Sequence, residues 1–214
     1  MAERVVQRRP RPRNRCSITL SGGRSFTVPE SEAGGFEPGT LLPPGEVTRL
    51  ERMHDYMRGK EKALRLLAIR SRTRAEIERA LEKLEINPAI GDGVIQELID
   101  RGYLDDLRFT YEYIRAKMEF KFLGPHRLRA DLVRMGVSRR YIDRAIGELC
   151  PAESQEELAR RAVRRKVGER TPDIKTVKRM SDFLKRKGFD FEVVNRVTFE
   201  LLEQAGRSDL HGDM

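Results

Sequence analysis

Tryptophan is absent from the 214 residues, aromatic residues make up 7%, and only two cysteines occur. Cys16 and Cys150 have no CxxC or Cys/His spacing, so neither a disulfide framework nor a zinc site is supported. No stretch approaches the roughly 20 apolar residues of a membrane helix. The start, MAERVVQRRPRPRNR, is basic but lacks the apolar run of a signal peptide. A cytoplasmic protein without a membrane partner is expected. There is no GxxxxGK(S/T), no GxSxG and no HExxH, and His54, His126 and His211 lack ligand-like spacing. No catalytic residue, metal or cofactor is expected.

Charge, by contrast, is plentiful. Charged residues reach 36% with a formal net charge of +9, against about 25% in an average domain. Such a balance points to a polyanionic partner. The excess is not spread evenly. Residues 1–15 carry six Arg against one Glu, residues 107–149 ten basic against five acidic residues, and residues 156–187 twelve against five. A solvated helix surface can explain one such run, but three separate basic regions weaken that reading.

The first fifty residues differ from the rest. Pro10 and Pro12 among arginines, with no periodic apolar face, predict a flexible basic tail over 1–15. Ile18 and Leu20, then Phe26 and Val28, alternate with polar residues around Ser21-Gly22-Gly23-Arg24, a hairpin signal. A two-residue Gly-Gly loop would put the two apolar pairs on opposite faces. A three-residue loop centred on Gly23 pairs Leu20 with Phe26 and Ile18 with Val28, keeping all four together. A lone hairpin is marginal in water, so it should pack on a helix or gain a third strand near Leu41 and Leu42.

From Glu46 the periodicity is helical. Gly59 is expected to separate a helix over 46–58 from one over 61–70. Thr73-Arg74-Ala75-Glu76 is a capping box, and Ser154-Gln155-Glu156-Glu157 a second. Asp92, Asp105 or Asp106, Ser138, Asp173 and Asp190 stand where helix caps are expected, and Gly102, Gly136 and Gly188 where helices should stop. Shifting the chain by 52 lays Leu128 on Met180, Leu132 on Leu184, Gly136 on Gly188, Val137 on Phe189 and Ile142 on Val194. A shift of 51 lays Ile77 on Leu128, Leu81 on Leu132 and Ile86 on Val137. The predicted fold is therefore mostly α: tandem three-helix repeats in an elongated curved array, with a small N-terminal β-hairpin. The expected divisions are a tail over 1–15, hairpin and loop over 16–45, a linking helix over 46–60, repeats over 61–106, 107–154 and 155–205, and a C-terminal tail over 206–214.

Within that frame, Ala63-Leu64-Arg65-Leu66-Leu67-Ala68, Ser71-Arg72-Thr73-Arg74-Ala75-Glu76-Ile77 and Arg101-Gly102-Tyr103-Leu104-Asp105-Asp106 with Arg108-Phe109 resemble the RecX regulatory proteins. So does Gly124-Pro125-His126-Arg127-Leu128, followed by Leu132 and Gly136. The resemblance covers about residues 46–203; the loop over 87–93 and the arginine-rich leader depart from it. It implies a non-enzymatic regulator that binds the RecA–DNA filament and restrains its ATPase, strand exchange and coprotease activities. The implied partners are the RecA filament and single-stranded DNA, with double-stranded DNA left open, and a monomer is the default. The alternative is a DNA-binding regulator whose helix-turn-helix-like units present a recognition helix.

Because Leu128, Leu132 and Leu184 take the core positions, neighbouring cations must project outward. The expected binding surface comprises Arg127, Arg129, Arg134, Arg139 and Arg140, then Arg164, Arg165 and Lys166, then Lys178, Arg179, Lys185, Arg186 and Lys187. Tyr103, Tyr111 and Tyr113 could stack on bases, but their helical spacing favours packing between helices.

Overall fold

A computed structural model describes residues 2–168 and 172–209. The chain divides into two compact units, residues 1–104 and 105–214. The first opens with strands β1 (Glu3–Arg11), β2 (Arg15–Leu20), β3 (Ser25–Pro29) and β4 (Leu41–Leu42), in the antiparallel order β3-β2-β1-β4. The expected flexible tail is therefore a strand. The strand tolerates Pro10 because β1 pairs with β2 from Val5 to Arg11, across a bulge between Val5 and Gln7, and with β4 only at Glu3 and Arg4, so Pro10 faces no second ladder; Pro12 falls in the loop beyond.

The β2–β3 loop has three residues, Ser21, Gly22 and Gly23, with Gly23 at φ +81°. The expected odd loop forms, but one residue earlier. Ile18 faces Phe26 and Cys16 faces Val28, so the apolar set still shares one face. Leu41 and Leu42 do form a strand, on β1 rather than on the hairpin.

Helix α1 runs unbroken from Pro44 to Ile69, which corrects the expected break at Gly59 and the separate linking helix over 46–60. Gly59 is buried inside it. A Cβ there would lie 3.0 Å from Ile86 and 3.4 Å from Leu81, so the glycine serves close packing rather than termination. The first half of α1 covers the sheet with Val47, Leu50 and Met53. Its second half joins α2 (Arg74–Glu82) and α3 (Pro88–Asp100) around Ala63, Ile77, Leu81, Ile95 and Leu98. Both bonds of the Thr73/Glu76 capping box are present. Asn87, not Asp92, caps α3; its Oδ1 accepts from the Ala89 amide at 3.0 Å, and Pro88 fills the first turn.

The second unit holds α4 (Asp106–Lys121), α5 (Pro125–Arg134) and α6 (Arg139–Leu149), then α7 (Ala152–Val167), α8 (Ile174–Lys187) and α9 (Phe191–Asp209). Asp105 caps α4 and Asp173 caps α8. The second expected capping box does not form: α7 begins two residues before Ser154, after Pro151, because a proline ahead of Ala152 already sets the entry. Residues 206–209, expected in the tail, continue α9, and 210–214 lie outside the described set.

Two cores fill this unit. Leu128, Leu132, Ile142 and Ile146 centre one, and Met180, Leu184, Val194 and Val197 the other. Fully burying such a side chain contributes about 1.5–3 kcal/mol. Met118, on the last turns of α4, packs against both.

Candidate nucleic-acid interface

Two helix ends meet head to tail in the second unit. The Gly124 amide donates to the Lys187 carbonyl at 2.9 Å, and the His126 amide to the Gly188 carbonyl at 3.0 Å. Orphan donors at the start of α5 thus satisfy orphan acceptors at the end of α8. The approach tolerates no side chain on either glycine. A Cβ at Gly124 would sit 2.4 Å from the Gly188 carbonyl oxygen, and one at Gly188 would sit 2.4 Å from the Arg127 amide nitrogen. The His126 Nε2 lies 3.0 Å from an Asp190 carboxylate oxygen, which fastens the same junction from the side chains.

This junction brings the C-terminal turns of α4, α7 and α8 together. Lysine and arginine favour such ends, where the helix dipole is negative. Here they crowd beyond that need. Lys121, Arg165, Lys166 and Lys187 line a hollow of about 270 Å³ with Phe120, Phe122, Ala162 and Phe183, and among the described residues no carboxylate lines it. Adjoining hollows add Lys117, Arg127, Arg179 and Arg186. The guanidinium carbons of Arg161 and Arg165 each lie 5.6 Å from the Phe122 ring centre. The Lys166 and Lys187 amines lie 5.7 and 5.4 Å from that of Phe183. Each ring face or rim thereby stabilises two cations.

The Lys187 amine shows the strain of the arrangement. It donates to the Lys121 carbonyl at 2.7 Å. Burial, followed by the neighbouring charges of Lys121 and Lys166, holds it below the usual lysine range. A bound anion would reverse that penalty. Phe120, 73% exposed at the rim, presents an apolar face to solvent.

Of the cations expected from sequence, the structure gathers Arg127, Arg165, Lys166, Arg179, Arg186 and Lys187 around these hollows. The others stand apart. Arg129 pairs with Asp143, Arg134 with Asp131, and Arg164 with Glu157 at 2.8 Å. Arg127 itself also reaches Asp131 at 3.3 Å. Arg139, Arg140, Lys178 and Lys185 are exposed but line none of the three hollows. Sequence reasoning missed Lys117, Lys121, Phe122 and Phe183. The available signal was the Phe-Lys-Phe run at 120–122, ahead of the Gly-Pro break.

The tyrosines are occupied otherwise. Tyr113 stacks on Phe109 with ring centres 6.0 Å apart, and its hydroxyl meets Asp131 at 3.3 Å. Burial, then Asp131, pushes it up to about 12. Tyr111 bonds Glu148, whereas Tyr103 is 53% exposed. Cys16 and Cys150 are both buried free thiols, and burial, with Asp190 behind it, raises the Cys150 thiol to about 11. Among the described residues no helix is long and apolar enough to cross a membrane.

Fold and site together define a protein of tandem three-helix domains with a basic, aromatic-lined surface. Comparison with known proteins gives it a family. The first, second and third three-helix domains of RecX match residues 60–98, 105–146 and 153–198, and the chain belongs to the RecX family. A regulatory protein RecX of Mycolicibacterium smegmatis is 31% identical over 70% of this chain and 81% of its own length. One from Amycolatopsis mediterranei is 29% identical over 77% of this chain and 93% of its own. The crystal structure of a regulatory protein RecX, 22% identical, superposes with a TM-score of 0.67 over 91% of this chain and 98% of that one. RecX from Lactobacillus salivarius, at 23% identity, gives 0.62 over 69% and 96%; both likenesses bear on fold alone. The family's named role is regulatory.

Proposed function

We propose that this chain is a non-enzymatic regulator that binds the RecA–DNA filament and restrains its ATPase, strand exchange and coprotease activities, and so modulates recombination and DNA repair. The resemblance to RecX supplies the partner. The observation that supports a contact point is the cationic hollow of Lys121, Arg165, Lys166 and Lys187, which no carboxylate among the described residues lines. A phosphodiester entering it would relieve the repulsion among these amines and release counterions. Phe120 at the rim offers a stacking face for an unpaired base, as single-strand binders use aromatics. Arg129 and Arg134, committed to Asp143 and Asp131, are assigned to holding α5 in place instead.

Cosedimentation with RecA assembled on single-stranded DNA, compared with DNA alone, tests the partner. The chain should pellet preferentially with the filament, and equal pelleting would sink the reading. A variant with Lys121, Lys166 and Lys187 changed to Gln tests the site. Its suppression of the recombinase ATPase should weaken at least tenfold, with a salt slope shallower by about 0.7 for each lost single-strand contact. Unchanged suppression in that variant would move the contact elsewhere.

A further inference from the structure

The arginine-rich leader forms β1 and the start of β2, and five of its six arginines divide into two sets. Arg8 points to the acids of its own unit, donating to Glu30 at 2.8 Å and also to Glu37, and Arg15 reaches Glu61 at 2.9 Å. Arg9, Arg11 and Arg13 are exposed. Arg9 lies opposite Ser17 in the ladder and Gln7 opposite Thr19, so the face they share is polar and hydroxyl-bearing, without an aromatic ring.

The ribbon accepts local penalties to present these charges. Arg11 stands directly opposite Arg15, a like-charge pair that weakens a ladder. Arg13 at φ +63° and Asn14 at φ +57° hold left-handed backbone in the connecting loop. Such a loop suits Asn or Gly, and Arg13 gains only a minor share, behind Arg15 and Arg65, in the field that holds the Glu61 carboxyl below its usual range. Positions where local rules are broken for little structural return are where function is sought.

We infer that the β1–β2 ribbon is a second nucleic-acid contact, in which Arg9, Arg11 and Arg13 grip the phosphates of duplex DNA. The spacing of the cations supports duplex, met by the face of the sheet rather than by a ribbon inside a groove, because β2 is also paired with β3 over Arg15–Thr19. Residues i and i+2 of a strand are about 6.8 Å apart, matching two base steps at about 3.4 Å per strand charge. Single-strand recognition leans on stacking aromatics, and the outward positions of β1 carry none.

The inference stands apart from the hollow in the second unit, which is left intact in the test. The full chain and its Arg9→Gln, Arg11→Gln, Arg13→Gln variant are titrated by fluorescence anisotropy against a duplex and against one of its strands, across salt concentrations. Circular dichroism checks that the strands persist. On duplex the variant should bind at least tenfold more weakly, with a salt slope shallower by about 2.7, or about 0.9 for each of three contacts. On the single strand the loss should be several-fold smaller. A second variant with lysine at the three positions should keep the duplex slope of the parent. Unchanged duplex binding, equal losses on both substrates, or failure of lysine to retain the slope would each overturn the assignment.

Discussion

The same turn ends the second helix of each three-helix repeat, yet three different situations surround it. After α2 the left-handed position is Glu85 at φ +58°, after α5 it is Gly136 at +82°, and after α8 it is Gly188 at +84°. The hydrogen bonds are the same in each. The next residue, Ile86, Val137 or Phe189, returns its amide to the carbonyl five residues back, on Leu81, Leu132 or Leu184, and then enters the core. Glu85 and Gly136 are exposed, whereas Gly188 is buried against the start of α5. The backbone conformation alone, then, tolerates a side chain. What forbids one at Gly188 is the second backbone pressed against it, and that contact belongs to tertiary structure.

The largest effect is therefore expected at Gly188. Gly188→Val should destabilise the second unit by about 3 kcal/mol or more, from left-handed strain plus the collision with Arg127. Calorimetric melting would show it, and a loss as small as that at Gly136 would remove the close approach as the cause. Gly136→Val meets the same left-handed strain at an exposed position, so about 1–2 kcal/mol is expected in urea unfolding. Equal losses at the two glycines would dissolve the comparison.

Glu76→Gln sharpens it from the first repeat. Burial alone would raise the Glu76 carboxyl, but Arg70, the Thr73 amide and then Arg72 hold it below the usual range. A carboxyl depressed in the fold contributes stability above its unfolded value and loses it as pH falls through the folded one. The variant should lose about 1 kcal/mol near pH 7, and the difference from the parent should close as the pH drops below the ordinary carboxylate range. A gap that persists at acid pH would mean that shape, not charge, matters there. The smallest effect is a gain. Glu85→Gly should stabilise by about 0.5 kcal/mol, since relief of left-handed strain exceeds the entropy of a glycine. A loss in stability would show that the Glu85 side chain itself contributes to the turn.

Much of the helical frame was legible because its signals are local. The Thr73 box, the Asp105 and Asp173 caps and the glycines at 136 and 188 act within one or two turns of their own position. Two errors share one cause. Gly59 looked like a breaker, and Pro10 and Pro12 disguised a strand; the deciding neighbours lay elsewhere, Ile86 and Leu81 across α1 and the β2 partner along β1. The cap expected at Ser154 failed for a local reason, the entry set by Pro151 three residues before it.

The candidate site divides the same way. Composition and helical phase alone determined that the protein is basic, built of three-helix repeats, and studded with outward cations. They could not determine which cations are free to act. Arg129 meets Asp143 fourteen residues on, and Arg160 meets Glu200 across forty. Only the packed helices decide such pairings. The folded structure alone could also place Lys121, Lys166 and Lys187 around Phe183, because three helix ends distant in sequence meet where Gly124 and Gly188 let two backbones touch. Periodicity reports the face a residue occupies; Coulomb repulsion and ring contacts depend on distance through space, which the fold sets.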